Sequence, residues 1–226
     1  MFKALLNLFF PAVCAGCDEL LLQSESVICT NCRHEIPLTK HHLLADNEAA
    51  TKFYGRIPAE AIVTFMYFQK KGIVQELIHK LKYKGCEEVG TVIGHWFSGD
   101  LKKTRAVFAH EIIPVPLHPR KLKKRGYNQV TTFGKALSES LEIPVNDSLL
   151  VRNFYSKTQT KKNLWNRSEL KKSLFQAKFS EADHDKHFLL IDDVLTTGST
   201  LEACSRALLE IPGAKVSIAC MAFSHS

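Results

Sequence analysis

Apolar residues follow two different spacings from about residue 61 to the end of the sequence. Short continuous apolar runs predict strands, and apolar residues three or four positions apart predict helices. The predicted strands are 61–68, 111–115, 149–151, 188–191 and 216–222. The predicted helices are 72–83, 89–101, 128–141 and 199–209. Alternation of helices with apolar strands predicts an α/β fold whose parallel sheet is covered on both faces.

The first 60 residues have a different pattern. Residues 35–60 are weakly periodic, which predicts a linker or an irregular extension, with the pair His41-His42 exposed to solvent. We therefore expect two units. Residues 1–55 would form an N-terminal helix, a cysteine module and a linker, and residues 56–226 would form the α/β domain.

The longest apolar stretch in this first part runs from Ala4 to Val13 and contains Asn7 and Pro11. It is about half as long as the roughly 20 residues that span a bilayer. Its composition is similar to that of an export signal, but cleavage near Ala15 would destroy the cysteine pair that follows. A short helix packed on its own protein is the better interpretation, and we expect a cytoplasmic protein with no transmembrane segment.

Four of the seven cysteines form two Cys-x-x-Cys pairs separated by 11 residues. The pairs are Cys14 with Cys17 and Cys29 with Cys32. Four thiolates at this spacing match the tetrahedral coordination of a structural Zn²⁺ ion, which would replace a hydrophobic core in so small a module. Two redox pairs or disulfides are the alternatives, although disulfides are rare in cytosolic proteins.

The segment from Phe188 to Thr200 carries the strongest site signal. Four apolar residues are followed by Asp192 and Asp193, and then by a turn rich in hydroxyl groups. The turn residues are Thr196, Thr197, Gly198, Ser199 and Thr200. Ligands of open α/β sheets bind where strands end and helices begin, and the hydroxyl and amide groups of such a turn can hold a phosphate.

This segment suits a 5-phosphorylated ribose. The phosphate would lie on the turn, and the two carboxylates would accept the 2′ and 3′ hydroxyl groups or hold Mg²⁺. The alternative is an ordinary capped helix, because Ser and Thr are common N-caps. A cap accounts for Ser199 or Thr200 but leaves two acids after a buried strand unexplained.

Two basic segments add to a formal net charge of +7, which favours polyanionic or phosphorylated partners. The first is a predicted loop for pyrophosphate, with cations at Arg120, Lys121, Lys123, Lys124 and Arg125. The second is a predicted mobile lid that includes Lys157, Gln159, Lys161 and Lys162. The alternatives are a solvated basic loop for the first segment and a nucleic-acid contact for the second.

At residues 188–200 the sequence resembles the type I phosphoribosyltransferases, which bind phosphoribosyl pyrophosphate (PRPP) through such a segment. The chain as a whole resembles the ComF/GntX family over nearly its whole length. This resemblance rests on the same segment, on the cysteine pairs and on the stretches P-V-P-L-H-P-x-K…R-G-Y-N-Q and K-T-Q-T-K-K. This resemblance implies a zinc finger joined to a phosphoribosyltransferase domain and a role in DNA uptake. It also implies that residues 192–200 bind PRPP, that 120–125 lie at the pyrophosphate loop and that 157–162 lie at the flexible loop.

Three hypotheses for function remain open, because nothing in the sequence identifies an acceptor. The first is an active phosphoribosyltransferase that uses PRPP with Mg²⁺. The second is an inactive, PRPP-responsive protein that binds single-stranded nucleic acid. The third is an interaction protein whose zinc module docks a competence helicase or other DNA-uptake machinery.

Overall fold

The computed structural model describes residues 11–153 and 174–225. Within these residues, four parallel strands form the main sheet in the order β1–β6–β5–β2. These strands are β1 (Ile62–Tyr67), β2 (Glu111–Pro114), β5 (His187–Leu195) and β6 (Lys215–Phe223). Two short strands, β3 (Leu150–Arg152) and β4 (Phe175–Ala177), pair with each other in antiparallel orientation. The parallel α/β fold predicted from the sequence is confirmed.

Seven α-helices lie within the described residues. They are α1 (Thr30–Glu35), α2 (Glu48–Thr51), α3 (Ile73–Tyr83), α4 (Glu88–Leu101), α5 (Pro119–Arg125), α6 (Thr131–Leu141) and α7 (Ser199–Leu208). The predicted helices correspond to α3, α4, α6 and α7, with ends that differ by three residues or fewer.

The side chains of β5 alternate between two cores, one on each face of the sheet. Leu189 and Ile191 pack in a core that contains residues of α3, α4 and α6. Phe188 and Leu190 pack in a second core with residues of α2, α7 and the β3–β4 pair. Burial on both faces explains why this strand is a continuous apolar run in the sequence.

Both outer strands of the sheet form hydrogen bonds with neighbouring connections. Beside β1, the Thr39 N–H donates to Phe65 O at 3.0 Å and the Tyr67 N–H donates to Pro37 O at 2.8 Å. Beside β2, the Ile112 N–H donates to Pro144 O at 2.8 Å and its carbonyl accepts from the Asn146 N–H. The connections therefore extend the sheet on both sides.

The exposed position predicted for His41 and His42 is wrong. The His41 ring is 3% exposed and its Nδ1 lies 3.0 Å from Thr64 Oγ1. His42 Nδ1 lies 3.2 Å from Asp100 Oδ2. Residues 37–53 pack on β1 and on the second core, so they form part of the folded body, and burial of the histidines follows from long-range contacts.

Two further differences concern strands. The run at 149–151 does form a strand, but it pairs with β4, where no strand was predicted. Strand β5 continues through the acidic pair to Leu195, beyond the predicted end at Ile191. In the described part of the chain, no helix combines the length and the apolar character needed to cross a bilayer.

Candidate active site and metal centre

The four cysteines of the two pairs converge on one point. The Sγ atoms of Cys14, Cys17, Cys29 and Cys32 all lie within 4.8 Å of one another. Cys17 Sγ and Cys29 Sγ are 3.7 Å apart, and four sulfurs around Zn²⁺ at about 2.3 Å stand about 3.8 Å apart. The donor set and its spacing therefore fit a metal ion.

Backbone amides around Cys14 favour its thiolate form. Burial opposes ionisation, but the N–H groups of Cys29, Gly16 and Cys17 outweigh it and lower the pKa of Cys14 to about 7. Burial and the neighbouring thiols raise the pKa of Cys32. A metal ion would hold all four sulfurs as thiolates by neutralising their charge.

Helix α3 supports the cysteine cluster. A Cβ at Gly16 would lie 2.9 Å from both Cys32 Sγ and Ile73 Cγ2, so only glycine fits between the cluster and the helix. Lys80 donates to Cys14 O at 3.2 Å and also pairs with Asp18. The module is thus anchored to α3 by close packing and by one lysine.

The two acids of β5 lie in different environments because successive strand residues face opposite sides of the sheet. Asp193 is 6% exposed, and its Oδ1 accepts from Lys82 Nζ at 2.8 Å. Its Oδ2 accepts from Gln129 Nε2 at 2.6 Å, and Gln129 Oε1 in turn accepts from Arg125 at 2.5 Å. Both oxygens of Asp193 are therefore engaged with protein donors.

Asp192 is partly exposed and has no such lysine partner within the described residues. Desolvation of its carboxyl group and the nearby Asp193 carboxylate raise the pKa of Asp192 to about 7. Its Oδ1 accepts from the Asp193 N–H at 2.8 Å. A carboxyl group with this pKa gains a proton or a cation easily near neutral pH.

The turn between β5 and α7 is the segment that the sequence predicts to hold a phosphate. Gly198 adopts φ +75° and serves as the N-cap of α7 without a side-chain capping bond. Thr196, Thr197 and Thr200 are exposed, and Thr197 Oγ1 lies 3.1 Å from Ser199 Oγ. Neither Ser199 nor Thr200 is the N-cap, and the Ser199 N–H donates to Thr197 Oγ1 at 3.5 Å, so the cap expected from Ser199 or Thr200 is not formed.

Two residues outside the motif hold this turn in place, and sequence reasoning missed both. The ring of Phe53 packs against Gly198, where a Cβ would approach Phe53 Cζ to 2.9 Å. Arg56 donates to Thr197 O at 3.2 Å and to Glu202 Oε2 at 2.9 Å. No local pattern marks either residue, because these contacts span more than 140 positions of sequence.

The basic segment predicted as a loop is instead helix α5, so that conformation is wrong. His118 caps it by accepting from the Arg120 N–H at 3.1 Å, Pro119 begins it, and Gly126 at φ +84° ends it. Arg120, Lys121, Lys123 and Lys124 are exposed. The cations follow β2, the strand next to β5, and Lys121 is close enough to lower the pKa of Asp192 slightly against the larger opposing effects.

Comparisons with known proteins show what this chain is similar to. The phosphoribosyl transferase domain family matches residues 131–226, which include β5, the turn and α7. Competence protein ComFC of Bacillus subtilis is 27% identical over 88% of this chain and 78% of its own length. Competence protein F of Haemophilus influenzae is 34% identical over 50% of each chain. The domain match and these relatives support a ComF-like family with a phosphoribosyltransferase domain.

DNA utilization protein YhgH of Shigella flexneri is a further relative of this ComF-like chain, 24% identical over 92% of it and 89% of the relative. The resemblance predicted from the motifs is thereby confirmed. The domain match begins at α6, so the cysteine cluster and α5 precede it. The predicted lid residues Lys157, Gln159, Lys161 and Lys162 lie outside the described residues, and their role stays a prediction.

Proposed function

We propose that this ComF-like protein binds PRPP at the β5–α7 turn and acts in DNA uptake. The observation that carries the proposal is the turn itself, with Gly198 at φ +75° and exposed hydroxyl groups directly ahead of a ten-residue helix. The 5-phosphate would bind Thr196, Thr197, Gly198, Ser199 and Thr200. The N-terminal amides of α7 would add neutral donors and a favourable dipole.

The two aspartates would contact the ribose in different ways. Asp192 is partly exposed, and Mg²⁺ bound with PRPP would favour its ionised form. Both oxygens of Asp193 already accept hydrogen bonds from Lys82 and Gln129. To bind the ribose, Asp193 would replace one of these two donors with a sugar hydroxyl group. The catalytic assignment of both residues is part of this proposal.

Transfer would proceed by departure of pyrophosphate from the ribose C1, followed by attack of an acceptor on the resulting oxocarbenium-like carbon. The chain's part is to position the sugar and to stabilise the departing charge. The cations of α5, Arg120, Lys121, Lys123, Lys124 and Arg125, and the predicted lid would supply positive charge there. We propose no acceptor.

Support for the DNA role comes from the relatives, two of which are competence proteins and one a DNA utilization protein. We infer that the metal of the cysteine cluster is structural zinc, because four thiolates leave no open position for catalysis. The alternative function is an inactive PRPP sensor that binds single-stranded nucleic acid or docks a competence helicase. A cytoplasmic location is part of the same proposal.

Calorimetric titration of the full chain with PRPP and Mg²⁺ tests the site. We expect binding to weaken at least tenfold, about 1.4 kcal/mol, in Thr200→Val, because the substitution removes one phosphate donor. Thr91→Val, a half-buried threonine on α4, is the matched control. Equal affinity of the two variants would contradict the phosphate assignment.

Turnover is a separate question from binding. Pyrophosphate release from PRPP with candidate acceptors, lost in Asp192→Asn while the protein stays folded, would support an enzyme. PRPP binding without release in the presence of any acceptor tested would favour the sensor.

A further inference from the structure

The four sulfurs of the cysteine cluster differ in their exposure to solvent. Cys17 is exposed, whereas the other three cysteines of the cluster are buried. Cys17 Sγ lies 3.7 Å from the Sγ of the buried Cys29. Because a disulfide bond joins two sulfurs at about 2.05 Å, these two would need to move about 1.7 Å closer to form one. An accessible thiolate with a second sulfur beside it is the arrangement that reacts with oxidants and then forms a disulfide.

The segment that joins the two cysteine pairs has few other contacts to hold it in place. Leu20 and Leu22 are 64% and 69% exposed, so these side chains contribute little apolar burial. In a segment of this kind, the free energy of metal binding replaces the free energy that a hydrophobic core would supply. Loss of the metal ion would therefore leave residues 14–32 without much of what folds them.

Helix α3 connects the cysteine cluster to the candidate PRPP site. The three buried cysteines belong to the same core as Val74 of this helix. Lys80 Nζ donates to Cys14 O at 3.2 Å. Further along the helix, Lys82 Nζ donates to Asp193 Oδ1 at 2.8 Å. A rearrangement of the cluster would therefore reach the acidic pair through a single helix.

We propose that the cysteine cluster is an oxidation-sensitive switch, in which hydrogen peroxide joins Cys17 to Cys29, the metal ion is released and α3 is loosened. The Cys17 thiolate attacks one peroxide oxygen, the O–O bond breaks, and the products are a sulfenic acid and hydroxide. The Cys29 thiolate then attacks the sulfenic sulfur, displaces a second hydroxide and forms the disulfide. Two thiolates thereby lose two electrons, and one peroxide molecule is reduced to two hydroxide ions.

The disulfide leaves two thiolates of the original four, which is too few to keep Zn²⁺ in a closed tetrahedral site. Release of the metal would free the loop at Cys14 from Lys80 and remove part of the core that packs on α3. The position of Lys82 against Asp193 would then be less well defined, and PRPP would bind more weakly. Only this last step rests on the proposed function, because metal release and the loosening of α3 do not involve PRPP.

Treatment of the zinc-loaded full chain with hydrogen peroxide tests the chemistry. We expect zinc release, measured with a chelating dye, together with a Cys17–Cys29 disulfide identified by mass spectrometry after differential alkylation. Cys86→Ser is the matched control, because Cys86 is a half-buried cysteine outside the cluster, and it should behave like the unmodified chain. Retention of zinc under peroxide overturns the proposal, as does a different first pairing of the cysteines or a chain that takes up no zinc.

Hydrogen–deuterium exchange tests the link to α3 without PRPP. After oxidation we expect faster exchange in residues 73–83, with residues 131–141 of α6 as the internal reference. In calorimetry with PRPP and Mg²⁺, affinity should fall about tenfold on oxidation and recover when a thiol reductant and Zn²⁺ are added. Faster exchange in α3, without PRPP binding by the reduced zinc-loaded chain, would support the switch and contradict the proposed function alone. Unchanged exchange in α3, or PRPP affinity that is the same before and after oxidation, overturns the switch.

Discussion

Lys82 Nζ lies 2.8 Å from Asp193 Oδ1, so that the last turn of α3 is joined to the strand that carries the candidate site. The same helix holds the cysteine cluster through Lys80, two residues earlier. Helix α3 thus contacts both the cysteine cluster and the acidic pair, and it fixes their relative position.

The Lys82–Asp193 pair should contribute to stability because Asp193 is nearly inaccessible to solvent. Lys82→Met would leave a buried carboxylate with Gln129 as its remaining side-chain donor among the described residues, and we expect a loss of about 2 kcal/mol in the free energy of unfolding. Adding Asp193→Asn should recover part of this loss. Urea unfolding measures both changes.

Lys84→Met is the control for this pair, since Lys84 is exposed two positions further along. A similar loss of stability in Lys82→Met and Lys84→Met would show that the ion pair with Asp193 does not itself stabilise the fold. A double variant less stable than Lys82→Met would argue against an unpaired carboxylate as the cause.

Gly198 should be sensitive to any added side chain. Gly198→Ala would impose the left-handed backbone conformation on a residue with a Cβ and bring that Cβ against Phe53. We expect a loss of about 2–3 kcal/mol, combining backbone strain with overpacking. Gly55→Ala, at φ +68° with open space around it, should lose only about 1 kcal/mol.

The contribution of Phe53 can be isolated in the Gly198→Ala background. Phe53→Leu should make the second substitution less harmful, because the smaller side chain leaves room for the Cβ. Additive losses in the double variant would exclude a direct clash at this position.

Asp192 should make stability depend on pH. Its pKa is raised from 3.8 to about 7 in the folded protein. Between pH 3.8 and pH 7, the folded protein therefore keeps a proton on Asp192 that the unfolded chain has already released. Stability therefore falls as pH rises through this window, and the loss is complete above about pH 7. Asp192→Asn removes the effect, and we expect it to stabilise the protein at pH 8 by about 1–2 kcal/mol.

Thermal unfolding at pH 4 and pH 8 checks this prediction in the absence of PRPP and divalent metal. Asp147→Asn, an exposed aspartate, serves as the control and should show no comparable difference between the two pH values. An unchanged Asp192→Asn profile would mean that the carboxyl group is already ionised in the folded protein at neutral pH.

The cysteine cluster should hold one zinc ion per chain. Cys29→Ser removes one thiolate, so we expect metal content to fall and the midpoint of thermal unfolding to decrease. Cys86→Ser is the control because Cys86 lies outside the cluster. Elemental analysis of the unmodified protein that finds no zinc after metal-free preparation would contradict the zinc assignment.

Some of the site is readable from the sequence because its signals are local. The apolar residues before Asp192 reflect burial of β5 on both faces, and the paired cysteines reflect the convergence of four thiol groups on one point. The helical form of 120–125 was also encoded locally, by Pro119 at the first position and Gly126 just past the end. The charge pattern obscured these signals because it favoured a loop.

The remaining parts of the site depend on contacts that no local pattern carries. In the sequence, nothing distinguishes Lys82 from Lys80, the other lysine of α3, because its partner Asp193 lies on β5 and becomes its neighbour only after folding. Phe53 and Arg56 belong to a weakly periodic segment, and their partners at Gly198 and Thr197 become neighbours only after folding. His41 is buried for the same reason, because its partner Thr64 lies on β1.

The connections along β1 and β2 have a consequence for self-association. An outer strand with open amide and carbonyl groups is a template on which a second copy can polymerise. Here Pro37 and Thr39 occupy that position on one side, and Pro144 and Asn146 occupy it on the other. The segment between the cysteine cluster and the sheet therefore covers the free edge of β1, and we expect a shortened form that lacks it to aggregate through that edge.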